Sequence, residues 1–140
     1  MAEASKGSVQ KVRSVSERIL KGSQEEKMAA VDEIILSSEL FSIPKVERLG
    51  IFAALEVIAK TVQNPGERNR AVQAFARFAE DPDFRVRRTV AKFFADLEFI
   101  PLWSDYTKRR IESALVRLKS DSDRETRQYA AEAHSLIFGK

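Results

Sequence analysis

Two stretches of this chain, "NPGERNRAVQAFARFAED" (64–81) and "SDYTKRRIESALVRLKSD" (104–121), lie over one another at an offset of 40 residues. Arg70 meets Arg110, Ala74 meets Ala114, Phe75 meets Leu115, Arg77 meets Arg117 and Asp81 meets Asp121. The offset continues through "DPDFRVRRTVAKFFADL" (81–97) and "DSDRETRQYAAEAHSLI" (121–137), where Asp83, Arg87 and Ala91 meet Asp123, Arg127 and Ala131. The same shift brings Val46 and Ile51 under Val86 and Ala91, with the aspartates lost. A period of this length holds one supersecondary unit. Such a unit cannot bury its apolar face alone and must stack on its neighbours.

The unit is helical. No stretch alternates apolar and polar residues for long, and the apolar positions recur at helical spacing. Val86, Val90, Phe94 and Leu97 form one stripe, Ile111, Leu115 and Leu118 another, and Val72, Phe75 and Ala79 a third. Start signals punctuate the chain. Ser23-Gln24-Glu25-Glu26 is a capping-box pattern, in which Ser23 accepts from a free backbone N–H and Glu26 reaches back. Asn64-Pro65 and Asp81-Pro82 each place a capping side chain before a proline whose missing N–H costs nothing there, and Ser104-Asp105 is a further start. Gly22, Gly139 and Ile100-Pro101 read as stops. Seven helices are predicted, near 8–21, 24–37, 44–61, 65–80, 83–98, 104–119 and 123–138, joined by short loops that favour antiparallel neighbours.

The pattern D-P-D-x-x-V-R-x-x-x-A at Asp81, Pro82, Asp83, Val86, Arg87 and Ala91 resembles a HEAT repeat. The resemblance covers about residues 23–138. It is strongest in the second unit, fair in the third, where Thr126 stands for the valine, and weak in the first, where Ser42, Ile43 and Glu47 depart from it. For that first part a generic helical bundle or an armadillo-like array stays open. The resemblance implies an all-α fold: a right-handed α-α superhelix of about three helical hairpins (about 23–61, 64–98 and 104–138) behind an N-terminal helix (8–21), all in one domain spanning 1–140. It also implies a ladder between units in which Arg87 and Arg127 pair with Asp81 and Asp121. On helix geometry, Asp81 is expected to cap the helix that follows, with Asp83 adding negative charge at the positive end of its dipole.

Composition narrows function by exclusion. There is no cysteine, hence no thiol nucleophile or thiolate metal site, and the one histidine, His134, cannot build a multi-histidine site. His134 aligns with Phe94, a stripe position, and reads as a core or end-cap residue. No Gly-rich phosphate cradle or nucleophile elbow is present. The neighbours Asp32 and Glu33, like Glu25 and Glu26, point different ways around a helix and make poor acid–base pairs. The expectation is therefore a protein that is not an enzyme, with no catalytic residues, no metal and no cofactor. No apolar run is long enough to span a bilayer and the N-terminus lacks a signal-peptide core, so an intracellular protein, cytoplasmic or nuclear, is expected. Charge is uneven. Residues 1–60 carry 9 basic and 9 acidic side chains, 61–120 carry 12 and 8, and 121–140 carry 3 and 4.

In HEAT arrays the second helix of each pair lines the concave, binding face. By aligned position that face would carry Lys45, Arg48 and Phe52, then Arg85, Arg88 and Lys92, then Glu125, Gln128 and Glu132. It would be basic at one end and acidic at the other. The expected function is a protein–protein interaction scaffold that docks an acidic or phosphorylated partner segment there. The alternative is DNA or RNA binding through the basic surface of residues 68–117, where Arg68, Arg70, Arg77, Lys108, Arg109, Arg110 and Arg117 recur on the first helices. The segment "FIPLWSDY", with Trp103 and Tyr106, reads as a packed corner. The apolar end Leu136, Ile137 and Phe138 predicts self-association through the last helix or a longer array.

Overall fold

The computed structural model describes residues 14–97 and 101–139. The predicted helical stretch 8–13, with Val9 and Val12, and the stop at Ile100 lie outside the described residues. Those residues form seven α-helices, two short 3-10 turns and no strand. The helices are α1 (Val15–Lys21), α2 (Gln24–Leu36), α3 (Lys45–Thr61), α4 (Pro65–Ala76), α5 (Phe84–Ala95), α6 (Asp105–Leu118) and α7 (Arg124–Phe138). Among the described residues no helix is long and apolar enough to cross a membrane.

The expected caps set most boundaries. Ser23 accepts from the Glu26 N–H while Glu26 accepts from the Ser23 N–H, closing the capping box of α2. Asn64 caps α4 with Pro65 in its first turn, and Ser104 caps α6. Gly22 joins α1 to α2 where a Cβ would lie 2.5 Å from the Arg18 carbonyl, so no larger residue fits without movement. Gly139 ends α7 at φ 76°, a region that side chains disfavour.

Five details differ from the sequence expectation. The helix expected over 8–21 begins, within the described residues, at Val15, where Ser14 caps it by accepting from the Glu17 N–H. A 3-10 turn at Leu40–Ser42 precedes α3 and buries Leu40. The helix expected over 65–80 stops at Ala76 and tightens into a 3-10 turn, Arg77–Glu80, which brings both Phe78 and Ala79 into the interior. The helix expected over 83–98 ends at Ala95. Asp96 follows at the negative end of the helix dipole, where its charge is unfavourable but for the Lys92 ammonium 2.6 Å away. Finally, Asp83 rather than Asp81 caps α5, accepting from the Arg85 N–H. The carboxylate of Asp81 instead accepts from the Asp83 N–H, and Asp121 treats Asp123 the same way. Ser122 replaces Pro82 in the second case, so the paired aspartates set this turn and the proline does not.

Side-chain bonds define the arrangement. Arg70 reaches Asp32, and Arg77 donates to the Ile34 and Ser37 carbonyls at the end of α2. Gln73 donates to Thr107, and the Ser104 N–H donates to Asn69. These contacts follow chain order, so α2, α4 and α6 lie side by side and run the same way. The helices α5 and α7 do likewise, while α3 packs on α4 and α1. Central α4 buries Ala71, Val72, Ala74, Phe75 and Ala76, an arc of about 200° or a little over half its circumference. A continuous run of rings threads the core from Phe41 through Phe78, Phe52, Phe75, Phe93 and Phe94 to Trp103, with successive centroids 4.7–6.1 Å apart.

Candidate functional site

Arginine–aspartate pairs tie α3 to the turn before α5, and α5 to the turn before α7. Nε of Arg48 donates to Asp81 at 2.8 Å and Nη1 to the Ile43 carbonyl. Nε of Arg87 donates to Asp121 at 2.6 Å, while its Nη1 holds the Asp81 and Pro82 carbonyls. Nη1 of Arg127 repeats that last grip on the Asp121 and Ser122 carbonyls. Each arginine therefore grips main-chain carbonyls just before its own helix, and for Arg48 and Arg87 the carboxylate partner lies in the turn before a later helix. The rung on Asp81 is Arg48, a residue read from sequence as part of the binding face. Arg48 and Asp81 are 6% and 1% exposed.

Phe52 is also internal, stacked on Phe75 at 5.0 Å and tilted against Phe78. Arg48 and Phe52 are thus withdrawn from the surface assigned to them. Both follow from helix phase, since one residue of register turns a side chain by about 100°.

The other expected face residues are exposed or half-buried, and most are paired. Lys45 lies 3.5 Å from Asp83, whose carboxyl also faces Arg85 at 3.2 Å. The Arg85 side-chain and backbone donors, with Lys45 beyond them, lower that carboxyl to about 2. Arg88 spans Asp123 at 3.3 Å and Glu125 at 3.4 Å and stacks over Phe84. Hydrogen bonds from Arg88, then Thr126, lower the Asp123 carboxyl to about 2. The basic and acidic ends of the expected groove are therefore joined to one another. Gln128 and Glu132 lie exposed on α7.

The basic track on α4 and α6 divides in two. Arg68 donates twice to the Val62 carbonyl, Arg70 and Arg77 bind α2, and Arg110 reaches the Tyr106 hydroxyl. Lys108, Arg109 and Arg117 are exposed. His134 sits half-buried, its Nε2 3.2 Å from Glu112 and its ring against Phe138. Leu136 is exposed, and Ile137 and Phe138 pack partly against the core.

Sequence reasoning missed a concavity between α3 and α5. Near their starts α3 and α5 are held together by Arg48–Asp81 and Lys45–Asp83. Between their later turns opens a cavity of about 560 Å³. Its apolar wall comes from Ala59, Val72, Phe93, Leu97 and Trp103, and its charged rim from Glu56, Lys60, Arg68, Lys92 and Asp96. Lys60 pairs with Glu56 four residues back and lies 6.0 Å from the centre of the Phe93 ring. The indole N–H of Trp103 is buried with no acceptor among the described residues. Recurrence of Lys60, Lys92 and Asp96 near helix ends carries no periodic signal, and only the separation of α3 from α5 creates the space.

No family model matches this chain, and neither does any curated protein or solved structure.

Proposed function

We propose that this protein is a non-catalytic interaction module built as a HEAT-like array of helical hairpins, which docks an acidic or phosphorylated partner segment on the face made by α3, α5 and α7. The observation that carries the reading is the cavity between α3 and α5, an apolar recess rimmed by Lys60, Arg68 and Lys92. The expected contact set changes accordingly. Lys45, Arg85, Arg88 and Lys92 remain on it, Arg48 and Phe52 leave it for the interior, and Lys60 and Arg68 join. The exposed pairs Lys92–Asp96 and Lys60–Glu56 do not close the face to a ligand. Such surface pairs contribute up to about 1 kcal/mol each, so a partner's carboxylate or phosphate can replace the internal one at small cost.

The test is fluorescence anisotropy of labelled acidic and phosphoserine peptides in low and in high salt. The double variant Lys60→Glu, Lys92→Glu should bind about tenfold more weakly than wild type, with the difference shrinking as salt screens it. Equal affinity of the two proteins in low salt, with circular dichroism unchanged, refutes the assignment.

Nucleic-acid binding is the second reading, favoured by the exposed Lys108, Arg109 and Arg117 on α6. A phosphate track of that kind gives a steep, linear loss of log affinity with log salt. Retention of a single-stranded oligonucleotide that disappears in Lys108→Glu, Arg109→Glu, while acidic peptides fail to bind, would select it.

A further inference from the structure

We infer that the cavity between α3 and α5 is an anchor site for one large aromatic side chain of the partner segment, with a carboxylate beside it meeting Arg68. This rests on the acidic-partner reading above and adds to it the residue that gives the partner its grip.

Volume and lining call for an apolar body. About 560 Å³ stands open against Ala59, Val72, Phe93 and Trp103, and small-ligand and side-chain recesses of this scale are filled by apolar groups with a few polar contacts. The rim supplies the charge. Two of its cations have carboxylate partners on their own helices, Lys60 with Glu56 and Lys92 with Asp96. Arg68 differs. Its Nε and Nη2 both donate to the neutral Val62 carbonyl, and no carboxylate among the described residues pairs with it. A half-buried guanidinium with no carboxylate partner among the described residues, at the edge of an apolar recess, is complementary to an anion that arrives attached to an apolar group. Trp103 adds a second asymmetry: its side chain lines the recess, and its indole N–H is buried with no acceptor among the described residues. Buried donors left in this way are uncommon in folded proteins.

Trp103 is the single tryptophan of the chain, so its emission reports on this cavity directly. The probes are three end-capped labelled peptides, Glu-Glu-Phe-Glu-Glu, Glu-Glu-Ala-Glu-Glu and Lys-Lys-Phe-Lys-Lys, followed by anisotropy and by Trp103 emission. The Phe peptide with glutamates should shift the emission and bind at least about tenfold tighter than its Ala counterpart, the effect expected from burying one ring. Ala59→Met puts a longer side chain at the wall of the recess, narrowing it, and should weaken that preference. Arg68→Gln should weaken the glutamate–Phe peptide several-fold. Unchanged melting temperatures show that both variants fold.

The failures separate. Equal binding of the Phe and Ala glutamate peptides, with no change in Trp103 emission, overturns the anchor and leaves the acidic-partner reading standing. Equal binding of the lysine and glutamate Phe peptides, with emission shifted by both, overturns the acidic-partner reading and the role of Arg68. Binding of none of the three overturns both.

Discussion

Removing the charge of Asp81 while keeping its shape should be the most damaging single polar substitution in this protein. The Asp81 carboxylate accepts from Arg48 at 2.8 Å on one oxygen and from the Asp83 N–H at 2.8 Å on the other. Asp81→Asn can keep the second bond through its amide oxygen, so the loss isolates the first. Arg48 is then left 6% exposed, with the neutral Ile43 carbonyl as its recorded partner. Breaking a buried pair by neutralising one member costs about 3–5 kcal/mol, because the surviving charge stays out of water uncompensated. The matched control is Asp121→Asn. Its partner Arg87 is more accessible and also grips two main-chain carbonyls, so its loss should cost about 1–2 kcal/mol. Equilibrium urea unfolding followed by far-ultraviolet circular dichroism reads both. Arg48→Met combined with Asp81→Asn should cost less than the two singles added, by about 2 kcal/mol, since the double variant buries no orphan charge. If Asp81→Asn is no more destabilising than Asp121→Asn, burial does not set the energy of this rung and the reasoning fails.

Two further outcomes follow from the same contacts. The Asp83 and Asp123 carboxyls sit at about 2 in the folded protein, below the ordinary carboxylate value of about 4. Depressed carboxyls contribute stability that is complete above the unfolded value and lost as pH falls towards the folded one. Melting temperature should therefore drop between about pH 4 and pH 2, and Asp83→Asn with Asp123→Asn, which keep a capping oxygen, should flatten that drop. An unaltered acid slope in the double variant would show that these caps are not responsible. Phe75→Ala should cost about 3–5 kcal/mol in urea unfolding. Its ring is fully buried and contacts Phe52, Phe93 and Phe94, so a loss below 1–2 kcal/mol or so would mean that the core closes around the gap.

Local chemistry was legible because it depends on neighbours in sequence. A serine three residues before a glutamate closes its own capping box, and Asn64-Pro65 starts a helix whatever surrounds it. The stripes at Val86, Val90 and Phe94 and at Ile111, Leu115 and Leu118 are buried as their spacing requires. Forty residues apart, Arg87 and Arg127 grip equivalent carbonyls. Asp81 was misread because a capping aspartate and one that orders the turn before the cap look alike in sequence. Arg48, reaching over from the first turn of α3, decides between them.

By itself, then, the amino-acid order determined that the chain would be helical, where most helices begin, and which side of each is apolar. Those properties are settled within one or two helical turns. Partners across helices were decided only by tertiary structure. Arg48 looked like a surface cation, yet the phase at which α3 starts and the approach of the turn before α5 turned it inward onto Asp81. The same holds for the cavity beside Trp103. Empty space between α3 and α5 belongs to the distance between two helices, a quantity that no single segment encodes.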